Sequence, residues 1–365
     1  MMRHLIRTTL LSLLLFATGA GAGTGTVKNV ILFIGDGMGT EQIRASGLFH
    51  NGKAGTMGFE SLPIKRMMTT HSLGGGITDS AASATAMATG RKVYNGSVGM
   101  HDGQPLRNLV EICRDAGKST GLITTVSVSN ATPAGFGAHV ENRRDTMEII
   151  RNLLNDTRPN ILMGAALSIE PEWAEYAGYR VVTDKASLGN VSWKTGNEYL
   201  SGQFRFGYSL AYEYQNVDDE PRLSDMTRRS LELLSTNPMG FFLLVEGAKI
   251  DWAGHNGSLK GVVSEVLGLD RAVSEAIDWA RERRDTLIIV TADHETGDLE
   301  VGESRGKGEL PEHIWMAPEE SPGSLAHSLQ EVPVYMLGGG DDLPAVIDNT
   351  DIFHIITKAL GIGSP

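Results

Sequence analysis

Asp251 and His255 stand four residues apart in Ile250-Asp251-Trp252-Ala253-Gly254-His255. On a helix that spacing lays both side chains over one turn, where they can reach one ion. Asp293 and His294 are adjacent behind the apolar run 286–291, and Asp36 and Glu246 close two other apolar runs. Each feature alone has an ordinary explanation, since Asp-x-x-x-His on a helix is usually a solvated pair and Asp-His after a strand is often a turn. As a set they are harder to dismiss. Asp36, Glu246, Asp251 and Asp293 gathered without cations would repel one another, and burying them would be costly. Divalent ions remove that conflict. The single cysteine, Cys113, cannot build a thiolate zinc site, so His, Asp and Glu would have to hold any metal.

A nucleophile candidate lies in Thr78-Asp79-Ser80-Ala81-Ala82-Ser83-Ala84-Thr85-Ala86, after Gly74-Gly75-Gly76. Asp79 or Ser80 can open a helix there, and a helix start gathers unpaired N–H groups and positive dipole that favour an alkoxide and a phosphate. A plain Ala-rich helix with an Asp or Ser cap explains this segment by itself at least as well. Ser83 lies most of a turn from Ser80 and is expected to be structural.

The elements that must position these groups are readable. Residues 28–34 (KNVILFI), 119–127 (STGLITTVS), 240–245 (GFFLLV) and 286–291 (TLIIVT) are short, nearly continuous apolar runs, as in parallel strands covered on both faces. Amphipathic helical patterns fill the gaps at 106–116, 145–154, 222–235 and 262–283. Residues 332–337 (VPVYML) read as a further strand and 350–360 as a terminal helix, while the Gly-, Pro- and Glu-rich stretch 300–324 reads as a surface loop. The alternation predicts an α/β sandwich without a firm internal boundary. In such a sheet, ligands gather beyond the carboxyl ends of the strands, so polar clusters far apart in sequence can converge there.

Composition bounds the function. With 41% hydrophobic residues the chain can bury a large core, and 44 acidic residues against 32 Lys and Arg give a formal charge of −12. A sequence-blind nucleic-acid surface is therefore excluded, because neutralising phosphates needs clustered cations. Residues 1–22 carry Arg3 and Arg7, an apolar core at 10–17 and Ala20-Gly21-Ala22. That is the order of a secretory signal peptide, too short for a stable membrane span. A periplasmic or secreted protein is expected, with 23–365 as its catalytic domain.

Together these motifs resemble the alkaline phosphatase family. Carrying the likeness, in the family's order, are Gly35-Asp36-Gly37-Met38-Gly39, then Asp79-Ser80-Ala81-Ala82-Ser83-Ala84-Thr85-Ala86, then Ala131-Thr132-Pro133-Ala134 with Ala138-His139-Val140 and Arg143. Val245-Glu246-Gly247 through Ile250-Asp251 to His255 follows, closed by Thr291-Ala292-Asp293-His294. It extends from Val30 to about Leu360. The resemblance implies a three-layer α/β/α sandwich with a large, mostly parallel central sheet. It also implies hydrolysis of phosphate monoesters through a phosphoserine, two zinc ions, one magnesium ion and a homodimer. On this reading Ser80 is phosphorylated and Arg143 grips two phosphate oxygens. Asp251 and His255 hold the first zinc with a His preceding the Val-Pro-Val strand, for which His327 fits better than His313. Asp36, Asp293 and His294 hold the second, and Asp36 bridges to magnesium beside Thr132 and Glu246. His139 has no assigned role.

The implied ions outweigh the four ligand carboxylates and the Ser80 alkoxide together, leaving the site at about +1 before Arg143 is counted. Two positions depart from the best-known bacterial pattern. Asn130 stands where that pattern has Asp and other members His, which should weaken magnesium retention. Trp252 stands where that pattern has Lys and other members His or Trp, in a substrate-side or a packing role. No pocket beyond the phosphate is evident, so loose specificity for the alcohol is expected. The alternatives are a phosphodiesterase of the same superfamily and a catalytically silent phosphate or metal binder; a sulfatase would need a modified Cys or Ser in a Pro- and Arg-containing motif, which Ser80 lacks.

Overall fold

The apolar runs become the middle of a ten-stranded sheet. The computed structural model describes residues 27–166, 169–215, 217–339 and 342–363, and the leader read at 1–22 lies outside them. In chain order the sheet strands are β1 (Asn29–Gly35), β2 (Ile64–Thr69), β3 (Ser119–Ser127), β4 (Ile161–Ala165), β5 (Arg180–Val182), β6 (Leu200–Gln203), β7 (Phe241–Gly247), β8 (Thr286–Thr291), β9 (Val332–Leu337) and β10 (Val346–Asp348). They lie side by side as β10-β2-β9-β8-β1-β7-β3-β4-β6-β5. Only β9 runs antiparallel to its neighbours. Every residue of β1, β3, β7 and β8 is buried, and each large apolar side chain so enclosed contributes about 1.5–3 kcal/mol.

Helices cover both faces. On one, α1 (Thr40–Asn51), α8 (Leu223–Leu234) and α9 (Lys249–His255) pack on the long α10 (Leu259–Ala280). On the other, α2 (Ser80–Thr89) packs on α4 (Ala131–Gly137), with α3 (Leu109–Asp115) against α4 and α11 (Asp351–Leu360) against α2. The helix read from residue 262 begins earlier, at Leu259, because the Ser258 hydroxyl accepts from the amide of Gly261 and caps it. The pattern at 145–154 divides into α5 (Thr146–Arg151) and a π-helical turn, Asn152–Thr157.

The stretch 300–324 is not the loop expected. Leu299–Val301 pairs with His313–Trp315, and Glu319–Ser321 with Ser324–Leu325, each antiparallel. Leu299 and Val301 are buried against Ala45, Leu48 and Leu259. This small core is what orders a segment whose polar composition reads as irregular. The strands missed in the sequence, β2, β4, β5, β6 and β10, are short or half-exposed and lie toward the sheet's edges, where apolar runs are brief.

Candidate active site

The strand order explains why distant clusters meet. β8, β1, β7 and β3 are consecutive neighbours, with Ile34 level with both Thr291 and Glu246, and Thr124 level with Glu246. All four run the same way. Asp293, Asp36, Glu246 and Asn130, which end or follow them, are thus delivered to one edge of the sheet, beside the central strand where topology reverses.

Two groups form there. Asp36, Asp293 and His294, all buried, have ligand atoms within 4.8 Å of one another, and so do Asp251, His255 and His327. Asp293 Oδ1 accepts from the amides of Gly37 (3.1 Å) and His294 (3.0 Å). Its Oδ2 is left facing His294 Nε2 at 3.2 Å. His294 Nε2 lies 3.5 Å from Asp36 Oδ1 and 3.2 Å from Ser80 Oγ. In the second group His255 Nε2 is 3.3 Å from Asp251 Oδ2, and His327 Nε2 is 3.5 Å from Asp251 Oδ1 and 3.1 Å from His255 Nε2.

The other ring nitrogens are committed elsewhere. His255 Nδ1 donates to the carbonyl of Leu325, and His327 Nδ1 to that of Thr78 at 3.0 Å. A carbonyl can only accept, so each Nε2 is the nitrogen that faces the carboxylates. Thr296 does the same for His294: its hydroxyl donates to Asp251 Oδ1, which leaves its lone pairs to accept from His294 Nδ1 at 3.4 Å. One hydroxyl therefore joins the two groups. Gly37 makes room for it, with φ of +69° and a position where a Cβ would come within 2.6 Å of Thr296 Oγ1 and 2.9 Å of Asp251 Cα.

Charges in this cluster are strained. Burial, and then Asp293, Asp251 and Glu246, hold the Asp36 carboxyl well above its usual range. Burial and Asp251 push Asp293 up to about 6, and burial pushes Glu246 up to about 7. Burial and the neighbouring His327 keep His294 neutral, well below its usual range. Asp251 is the exception. Burial would raise it, but hydrogen bonds from His255 and His327 outweigh burial and keep it ionised. Reciprocally, burial opposes a proton on His327, yet the hydrogen bond and charge of Asp251 lift it to about 9.

Divalent ions fit these residues. Asp36 Oδ1, Asp293 Oδ2, Glu246 Oε1 and Thr132 Oγ1 are buried without a hydrogen-bond partner. Four oxygens of that kind, three of them carboxylate, are the donors that hard and borderline cations take. Glu246 Oε2 accepts from Thr124, its cross-strand neighbour. Thr132, on α4, stands beside Glu246. Asn130 caps α4, its Oδ1 turned back to the amide of Ala131 at 2.6 Å.

Ser80 is the first residue of α2 and is buried. Asp79 caps the helix through Oδ1, which accepts from Ala82 at 2.9 Å, while its Oδ2 accepts from Gly96 (3.0 Å) and meets Arg143 Nη1 at 3.1 Å. One carboxylate thus sets the guanidinium relative to the serine. Ser83 is structural as expected, donating to the carbonyl of Asp293 at 2.7 Å. His139 is engaged away from the cluster, by Gly99 O and Glu111. His313 lies exposed on its hairpin, and Trp252 is half-buried on α9 beside Asp251. Sequence reasoning missed Thr124 and Thr296, whose sole signal is their place, one level with Glu246 and the other two residues after His294.

The family described as Alkaline phosphatase matches residues 27–165 and 164–318. Alkaline phosphatase 4 of Bacillus subtilis is 35% identical over 325 residues, 84% of this chain and 69% of that protein. The alkaline phosphatase of Escherichia coli K12 is 30% identical over 408 residues, 92% of this chain and 86% of that one. A mutant of the TAB5 alkaline phosphatase, from an Antarctic bacterium, solved with Mg bound in its M3 site, superposes with a TM-score of 0.77 at 26% identity. The match covers 93% of this chain and 99% of that one.

Proposed function

Because this chain belongs to the alkaline phosphatase family and is a phosphatase, we propose that it hydrolyses phosphate monoesters through a phosphoserine on Ser80. The observation that supports this most is Ser80 Oγ at a helix start, 3.2 Å from His294 Nε2, beside carboxylates that need cations. Asp251, His255 and His327 would hold one zinc ion, Asp36, Asp293 and His294 a second, and Asp36, Thr132 and Glu246 a magnesium ion. Bound there, these ions would supply Lewis acidity and positive charge for the entering and leaving oxygens.

The chain's own residues do the rest. Arg143, held by Asp79, offers a planar fork to two phosphate oxygens. The Ser80 oxygen, having lost its proton to solvent, forms a bond to phosphorus as the ester bond breaks, and the alcohol leaves with a proton taken up from solvent. Water then attacks phosphorus, frees inorganic phosphate and returns the proton to Ser80. The Asp79 cap takes the amide of Ala82, so the positive end of α2 would act on the developing charge through the amides that precede it.

The test is turnover of p-nitrophenyl phosphate against bis(p-nitrophenyl) phosphate in zinc and magnesium. The monoester is expected to be hydrolysed faster by orders of magnitude, with one inorganic phosphate released per turnover; preference for the diester would overturn the reading. Arg143→Lys is expected to lower kcat/KM about 10- to 100-fold, because an ammonium keeps the charge but loses the bidentate contact. Steady-state kinetics with phosphate as competitive inhibitor checks it, the inhibition weakening in parallel.

Asn130 brings no charge near Glu246, so the magnesium position is expected to exchange readily. Asn130→Asp should tighten magnesium at least several-fold in a titration of activity against free magnesium; an unchanged midpoint would refute the role. The leader read at 1–22 supports a periplasmic or secreted enzyme with 23–365 as one catalytic domain. Among the described residues no helix is long and apolar enough to cross a membrane. The homodimer that the family resemblance implies stays part of this proposal.

A further inference from the structure

Loose specificity for the alcohol was expected because the sequence marks no pocket beyond the phosphate, yet a cleft of about 550 Å³ opens beside Arg143. Asn130 and Arg143 line it, which makes it continuous with the phosphate position proposed above. So do the aromatic side chains of Trp173 and Tyr208, brought from distant parts of the chain. Its volume falls within the roughly 300–1,000 Å³ of clefts that enclose drug-sized ligands. A phosphate with a small aliphatic alcohol would leave most of it to water.

Both aromatic residues are held by backbone. The amide of Ser127 donates to the carbonyl of Tyr208 at 3.0 Å, Val126 bridges Ser209, and Leu210 donates to Thr125 at 2.9 Å, so the segment carrying Tyr208 is laid along the end of β3. Trp173 sits on α6 (Pro171–Tyr176), with Glu170 just before it. Trp173 and Tyr208 are 43% and 71% exposed, large aromatic residues left open to water beside the polar site. Arg144 and Glu170, of opposite charge, also line the cleft. Aromatic faces with a donor and an acceptor nearby suit a flat ring with a polar edge.

We propose that this cleft receives the alcohol half of the substrate and selects monoesters whose alcohol carries a flat heteroaromatic ring, the chemistry of a nucleoside monophosphate, over small aliphatic phosphates. The proposal rests on the monoesterase reading, and its test separates the two. kcat/KM is measured for adenosine monophosphate and for glycerol phosphate, in the metal-loaded wild type and in Trp173→Ala/Tyr208→Ala. Both side chains are substantially exposed, and thermal melting verifies that the variant folds. The wild type is expected to favour the nucleotide. The double variant should lose about 10- to 100-fold on the nucleotide, as loss of stacking implies, with glycerol phosphate turnover and inhibition by inorganic phosphate unchanged. Trp173→Phe should keep most of the preference. Equal efficiency on both substrates in the wild type, or an equal loss on both in the variant, would overturn the cleft's role and leave the monoesterase reading standing. Hydrolysis of neither substrate would overturn both.

Discussion

Ser80→Ala should lower kcat on p-nitrophenyl phosphate by about 10³- to 10⁵-fold, the scale on which removal of a catalytic nucleophile is felt. The substitution is nearly silent for the fold. Ser80 opens a helix already capped by Asp79, its hydroxyl faces His294 rather than the core, and Ala is the best helix former. Inhibition by inorganic phosphate should persist, because Arg143 and the helix start remain. Acid quenching with labelled substrate gives the sharper readout. The wild type should retain covalent label on Ser80 and the variant none. A variant with full activity, or label that survives the substitution, would end the phosphoserine reading.

Removal of metal should be equally severe and should also change how stability depends on pH. Chelation is expected to abolish turnover, and restoring zinc and magnesium to recover it. Stability should fall as well, since an ion held at a thousandfold above its dissociation constant contributes about 4 kcal/mol. In the chelated protein the sign follows from each group. Asp36, Asp293 and Glu246 have raised values, so they bind more protons folded than unfolded and their stabilisation is lost as pH rises, complete by about 7 for Glu246. His294, held low, acts oppositely, penalising the fold below the ordinary histidine value of 6.5. These trends compete at acid pH. Above 6.5 the field is clearer, because His327 and His255 are both raised, and stability present below 6.5 drains away as pH passes through the folded value, about 9 for His327. The loss attributable to His327 is on the order of 3 kcal/mol. Melting temperatures of the chelated protein should therefore decline between pH 6.5 and 9, and the metal-loaded protein should show little of that decline, because an ion replaces the proton at Nε2. A chelated protein as stable at pH 9 as at 6.5 would contradict this account of the cluster.

Much of this was legible in residue order, for physical reasons. A strand buried on both faces carries few charged groups and a run of apolar or small residues, so β1, β3, β7, β8 and β9 announce themselves within a residue or two. Helix spacing announces that Asp251 and His255 share one face, and adjacency at a strand end that Asp293 and His294 stay together, as the structure has them. What stays hidden is whatever depends on register or on chain returning from afar. Thr124 matters because it is level with Glu246 across two strands. Thr296 matters because Gly37 has no side chain in its way. His327 could be placed only by its distance from a strand, and the structure seats its ring at a centroid separation of 3.6 Å on that of His294. The cleft beside Arg143 draws on residues 127–131, 143–147, 170–173 and 208. No periodicity links those segments.

The order of strands has one more consequence, for motion and for evolution. The proposed chemistry hangs from four adjacent strands at the centre of the sheet, where backbone amides open last and are expected to resist hydrogen exchange longest. Trp173 comes from α6, a short helix just before β5, the outermost strand. Edge elements open at lower cost than the core, and they tolerate change better. The architecture thus separates two inheritances. The proposed bond-breaking residues hang from the part of the sheet expected to open last, and part of the proposed alcohol wall from an edge element, where substitutions are better tolerated, so substrate preference can change there without rebuilding the catalyst.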